Sequence, residues 1–315
     1  MKSAGLPRLF LIALVAGMAG LRVAMATTAL PRLRSASVLV QDQGTGELLM
    51  QKRASDVVPI ASLTKLVTSM VVIDAGLPMN EPITILEEDK DMLRHSKSRL
   101  PVGTRLTREQ ALNLALMSSE NRAAHALGRT FPGGLEPFLA AMNAKARALG
   151  LKETRFGDPA GLSASNVSSA LDLARIVDAA HHYPLIRTLS TCKSAMVEGE
   201  RGPIEFHNTN MLIDNSHWQI GLSKTGFIDE SGQCLVMQAQ MAQRPVLIVL
   251  LDATGHRSRF EDANRIRQWM EGPDPAPVRV AHHAVAKVSH RAKLRAHARD
   301  KAVAAVHHRH HRRQA

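Results

Sequence analysis

Aromatic side chains are scarce in this 315-residue chain: seven Phe, two Trp and one Tyr. Cysteine is scarcer still. Two cysteines are too few for a disulfide framework or a Cys-rich zinc module. The longest apolar run, residues 9–20, holds about twelve residues, short of the roughly twenty that span a bilayer. No internal repeat is visible. With 45% apolar and 22% charged residues, wholesale disorder is nonetheless excluded. Acids are also short, 28 against 40 Lys+Arg, for a formal charge of +12. Such an excess points to nucleic acid only if the folded body carries it, and here it does not. Residues 1–26 hold three bases and no acid, and residues 273–315 hold ten bases, two acids and eight of the 15 His. Between them, 27 bases face 26 acids. The body is nearly neutral, and no specific nucleic-acid partner is expected.

The two ends read as appendages. Lys2 and Arg8 precede the run 9–20, and Ala24-Met25-Ala26 supplies small residues at the first and third positions. This is a signal-peptide pattern over 1–26, with the mature chain expected to begin near Thr27. Three prolines within 273–277 mark a linker. Beyond them Ala, Val, Arg and His dominate and no large aromatic occurs. No packed core can form there, so 273–315 reads as a disordered or weakly helical basic tail. It is either a tether to anionic envelope polymers or lipid or a solvated tail with no dedicated partner. Its His cluster could take zinc or nickel without specificity.

The body, 27–272, has strand patterns at both ends and helical patterns between. Residues 37–42 and 47–50 read as a hairpin around Gly44-Thr45-Gly46. Helices are expected over 62–75, from Thr107 (with Gln110 as its capping-box partner), and over 121–129, 135–149 and 168–180. Strands return at 185–197, 219–224, 234–240 and 246–252, and a helix over 257–270 closes the body. Two early strands cannot stand alone, so they pair with the late ones in one antiparallel sheet. The middle helices then form a second lobe, with a cleft between.

Three short motifs carry chemistry. Ser62-Leu63-Thr64-Lys65 opens the first helix, where residues three apart share a face with Cβ atoms about 5–6 Å apart. A neutral amine that close can take the serine proton, and burial or a nearby cation lowers a lysine pKa enough to provide one. The motif is cheap, since Ser190–Lys193 repeats it among strand-like residues, starting no helix. Ser119-Glu120-Asn121 is the only Ser-x-Asn in the chain and offers a relaying hydroxyl and a gripping amide. Lys224-Thr225-Gly226, the only Lys-Thr-Gly, ends a strand where a cation and a hydroxyl can receive a carboxylate. Gly226 there lets a substrate backbone come close.

In this order, these motifs match the penicillin-recognising serine enzymes. From about Ser37 to Glu271 the chain resembles low-molecular-mass penicillin-binding proteins, the serine D-alanyl-D-alanine peptidases. Stretches such as 59–65, 114–123, 132–150 and 221–238 look like the endopeptidase branch. The resemblance implies an α+β fold of the β-lactamase/D,D-peptidase type, an antiparallel sheet flanked by helices plus an all-helical lobe. It further implies Ser62 as nucleophile, Lys65 as general base, and Lys224 keeping Lys65 neutral by repulsion. Ser119 would pass the proton to the leaving amine, and Asn121 would hold the acyl-side backbone. Thr225 and Lys224 would bind the carboxylate beside the scissile amide. The N–H groups of Ser62 and Phe227 would form the oxyanion hole. No metal or organic cofactor is implied. The expected partners are periplasmic peptidoglycan and β-lactams as covalent inhibitors.

The motifs do not separate cleavage of D-Ala–diaminopimelate cross-links from trimming of pentapeptides. The branch resemblance favours cross-links, as does a 43-residue tail too short for the further β domain and amphipathic anchor of the carboxypeptidases. A class A β-lactamase needs a deacylating glutamate between the second and third motifs. Here 156–163 reads Phe-Gly-Asp-Pro-Ala-Gly-Leu-Ser, without one. A non-catalytic wall- or nucleic-acid-binding protein would leave the reactive side chains unused. The body histidines (His95, His125, His181, His182, His207, His217, His256) show no ligand spacing. Cys192 and Cys234 could pair after export or be two small buried hydrophobes.

Overall fold

Asp42 closes the first hairpin. In the computed structural model, which describes residues 30–199 and 202–272, its carboxylate accepts the N–H groups of Gly44 and Thr45 at 2.9 and 3.0 Å. This Asx turn joins β1 (Ser35–Asp42) to β2 (Leu48–Lys52). The expected leader and tail lie outside the described residues.

The chain then runs through β3 (Val58–Pro59) into a 3-10 turn, Ala61–Thr64, which leads straight into α1 (Lys65–Asp74). The helix expected from residue 62 therefore starts at Lys65. Ala61, at φ 47, bends the chain too sharply for α geometry, and Leu63 N bonds only as far back as Ile60 O. β4 (Pro82–Thr84) pairs with β5 (Arg105–Thr107). The expected capping box opens α2 (Arg108–Met117), with Gln110 N to Thr107 Oγ1 at 3.1 Å and Thr107 N to Gln110 Oε1 at 2.8 Å. α3 (Asn121–Arg129) and α4 (Leu135–Ala148) follow. β6 (Val167–Ser168), paired with β3, precedes α5 (Ala170–His181).

The expected strand over 185–197 is mostly helix. α6 (Pro184–Thr191) occupies its first part, and the hairpin of β7 (Ser194–Gly199) and β8 (Gly202–His207) follows. Pro184 sits at the first helical turn, where its fixed φ is favourable. Ile186, Leu189 and Ser190 form the buried face, a helical spacing mistaken for strand because the residues are branched and apolar. Ser190 thus lies at a helix end, and Lys193 is exposed and paired with Asp214 at 3.3 Å.

β9 (Gln219–Ile228), β10 (Gly232–Met241) and β11 (Arg244–Ala253) form a meander, and α7 (Ser258–Glu271) closes the fold. β9 does not stop at Lys224. The Lys-Thr-Gly lies within it, because β10 pairs with it from Gln219 to Ile228. Strand order is β2-β1-β11-β10-β9, all antiparallel, so early and late strands share one sheet as expected. Alternation sends Val38, Val40, Ile248 and Leu250 to Phe260, Ala263 and Ile266 of α7. Leu39, Val249 and Leu251 face the core that holds α1 to α5. Both cysteines are free: Cys234 is fully buried and Cys192 half-buried. Burial pushes the Cys234 thiol up to about 11, the behaviour of a small hydrophobe.

Candidate active site

The turn that carries Ser62 is held from below. Ile60 N donates to Asn166 O at 3.0 Å, Thr64 Oγ1 to Ala61 O at 2.8 Å, and Asn166 Nδ2 to Thr64 Oγ1 at 3.0 Å. One turn on, Lys65 is wholly buried. Its Nζ lies 2.7 Å from Ser62 Oγ, 2.8 Å from Asn121 Oδ1 and 2.7 Å from Ala160 O. Burial pushes the amine down to about 7, against the upward pull of Asp158, Glu120 and Asp91. When neutral, it can give two N–H bonds to Asn121 and Ala160 and accept the Ser62 proton on its lone pair. That is a serine with a base already docked.

β9 forms the opposing wall. Lys224 is buried, with Nζ donating to Thr225 O at 3.0 Å. Its amine is pushed well below the usual lysine range by burial first, then by Lys65 and Arg259. Lys65 thus bears on Lys224 by charge, the reciprocal of the expected repulsion. Arg259, itself pushed down to about 10 by burial, reaches from α7 to Gly226 O at 2.9 Å. A Cβ at Gly226 would sit 3.0 Å from Ile60 O and 3.2 Å from Ala61 Cβ, so the glycine also admits the serine turn to the strand. Thr225 Oγ1 is 2.6 Å from Thr209 Oγ1, and Phe227 is exposed at the cleft.

Ser119 joins α2 to α3 at φ 60 and is half-buried. Among the described residues no side-chain hydrogen bond ties it to Ser62, Lys65 or Asn121. The structure thus brings Ser62, Lys65 and Asn121 into direct contact, sets Lys224 against them by charge, and leaves Ser119 two residues from Asn121.

Several supporting residues were not legible as functional. The Asp158 carboxylate accepts four N–H groups, those of Ala160, Gly161, Leu162 and Ser163, at 2.7–3.1 Å. This nest presents the Ala160 carbonyl to Lys65. Its sequence signal is an Asp two residues before Ala-Gly, an Asx-turn pattern. Gly161, at φ 80, passes so close to Ser62 that a Cβ would sit 1.9 Å from Ala61 O. On the other side Asp91 gathers the N–H groups of Leu93, Arg94 and Ser96. Ser96 Oγ then accepts Asn121 Nδ2 at 3.0 Å. Arg94 donates to Leu162 O and pairs with Glu230 at 2.8 Å. The enclosed cleft, about 230 Å³, is lined by Ser62, Arg94, Ser96, Asn121, Gly161 and Phe227 among others.

The chain is similar to known proteins. The sequence signature of the D-alanyl-D-alanine carboxypeptidase family matches residues 24–255. The chain is 45% identical over 273 residues to a D-alanyl-D-alanine endopeptidase of Pseudomonas aeruginosa, covering 83% of this chain and 88% of that one. It is 41% identical to the Escherichia coli protein of the same description, covering 82% and 85%. Among solved structures, the Streptomyces K15 DD-transpeptidase superposes with a TM-score of 0.71 at 27% identity, covering 77% of this chain and 98% of that one. No helix among the described residues is long and apolar enough to cross a membrane. The chain belongs to the D-alanyl-D-alanine carboxypeptidase family and is a serine D-Ala-D-Ala peptidase.

Proposed function

We propose that this chain hydrolyses D-Ala–diaminopimelate cross-links of peptidoglycan in the periplasm through an acyl-enzyme on Ser62. The observation that carries the chemistry is the buried Lys65 amine, brought down to about 7 and set 2.7 Å from Ser62 Oγ. Ser62 Oγ attacks the D-Ala carbonyl and its proton passes to Lys65 Nζ. The oxyanion forms against the N–H groups of Ser62 and Phe227. Loss of one such donor typically costs about 2.7–4 kcal/mol of transition-state stabilisation. As the C–N bond breaks, Ser119 relays the proton to the leaving amine. Lys224 and Thr225 receive the carboxylate beside the scissile bond, and Asn121 holds the acyl side. Water, deprotonated in turn by Lys65, then cleaves the ester.

Support for cross-links over free pentapeptides comes from the two relatives described as endopeptidases, each covered over more than four-fifths of its length. Relatives described as carboxypeptidases share less, such as one from Bacillus subtilis at 27% identity. Penicillin carries a carboxylate and a strained amide, and it should acylate Ser62 with slow release. Digestion of purified cross-linked muropeptide dimers and of free pentapeptide, read by mass, tests the reading. Monomers from dimers are expected; release of D-Ala alone would make the enzyme a carboxypeptidase. Stoichiometric penicillin labelling, lost in Ser62→Ala, is the companion result, and rapid penicillin turnover would overturn the peptidase mechanism.

A further inference from the structure

Another cavity lies away from Ser62. It is a shallow groove of about 780 Å³ at the far end of the sheet, lined by Gln43, His181, Arg187, Gln219, Gln238 and Gln240. A second hollow of about 320 Å³ shares Gln219 and Gln240 with it and runs on past Gln243. Both hollows border the end of β9 and β10, a trough where five glutamines lie beside Arg187, His217 and Glu271.

Gln238 marks the trough as a built site. Its side chain is 3% exposed and lines the cavity, yet its amide makes no hydrogen bond among the described residues. The backbone is shaped around it. β9 and β10 slip register between Gln238 and Ala239, and the residue left unpaired is Gly221, where a Cβ would lie 2.2 Å from Gln238 Oε1 and 3.2 Å from His181 Nε2. His181 is also placed. Gln43 Nε2 donates to Asp178 Oδ1 at 2.9 Å and lies 3.4 Å from His181 Nδ1. With Nδ1 as acceptor, the neutral ring presents Nε2–H to the groove. Arg187 is anchored through the His181 carbonyl at 2.6 Å.

Amides offer a donor and an acceptor each, which suits a ligand rich in hydroxyl and acetamido groups. No Phe, Tyr or Trp lines the trough. We propose that this trough binds the N-acetylated glycan strand of the substrate, holding the polymer while a stem peptide reaches Ser62. The choice of glycan rests on the peptidoglycan reading above. From Gly221 to Thr225 the strand advances roughly 13 Å, close to the reach of an extended peptide of about four residues.

The test is titration of the full chain with the tetramer of N-acetylglucosamine, followed by NMR, in wild type, Gln238→Leu and Gln240→Ala. Gln240 is exposed, so its variant keeps the fold intact if Gln238→Leu does not. Each substitution should weaken glycan binding about five-fold. The KM for intact peptidoglycan should rise, with kcat and the rate of penicillin acylation unchanged. No glycan binding by wild type, or binding indifferent to both variants, overturns the proposal and leaves Gln238 satisfied by water alone. So does binding of a sugar-free stem peptide in the trough instead of the glycan. Loss of dimer cleavage and penicillin labelling in wild type would sink the peptidase reading, whereas the glycan titration reads the trough without requiring catalysis.

Discussion

At the scale of single residues, desolvation decides the reactivity. Lys65 works as a base only when neutral, and its amine is down to about 7. The sign follows directly. Below that pH the neutral fraction falls about ten-fold per unit and acylation falls in step; above it acylation levels off. Second-order rate constants for penicillin acylation between pH 5 and 9 should show this rise, and a flat profile would exclude Lys65 as the base. Asp158 is the leading group that pulls the amine back up. Asp158→Asn should therefore move the midpoint to lower pH and, by loosening the Ala160 nest, lower the plateau rate. An unmoved midpoint would show that the carboxylate is not felt at Lys65.

Two glycines separate close approach from mere turn geometry. Gly161→Ala meets both a positive φ of 80 and the Ala61 carbonyl at 1.9 Å. It should cost roughly 2–4 kcal/mol and abolish acylation. Gly150→Ala meets φ 69 with nothing within 4 Å, and about 1 kcal/mol is expected. Denaturant midpoints of the two variants give the comparison, and equal losses would mean that the approach to Ser62 is not tight.

At the scale of elements, local chemistry and tertiary packing can be told apart. α2 begins where its capping box says it should, so Thr107→Ala should lower stability by about 1 kcal/mol and leave acylation unchanged. A denaturation curve paired with penicillin labelling checks both parts. The 3-10 turn at Ser62 has no such local code. It exists because Asn166, about a hundred residues on, bonds Thr64 and Ile60, and because Gly226 and Gly161 let strand and loop press against it. α6 shows the opposite failure: its apolar residues were visible, but their helical period was taken for a strand until burial of Ile186 and Leu189 chose between the two.

For the whole molecule, charge and chemistry are separable. The near-neutral body holds the described catalytic cluster, while the excess bases lie in the ends. Removal of 273–315 should leave penicillin acylation at its full rate and should weaken, in a salt-dependent way, any adsorption to anionic vesicles. A loss of acylation would place part of the site in the tail.

The sequence by itself determined which side chains can react. Ser62 and Lys65 are three apart, Asn121 follows Ser119, and Lys224-Thr225-Gly226 lies in a strand; these are covalent facts, and short-range helix and strand geometry fixes their local facing. It also determined the hairpin at Asp42, the cap at Thr107 and the pairing of early with late strands, through turn chemistry and alternation. Only the tertiary structure decided how far the two lysines are desolvated, because that depends on burial and on distances between segments far apart in the chain. It alone placed the Ala160 carbonyl on Lys65 and brought Gly226 against the serine turn. It alone turned the Gln238 amide to a groove at the other end of β9. Desolvation and close approach have no one-dimensional signature; they arise only when distant residues meet.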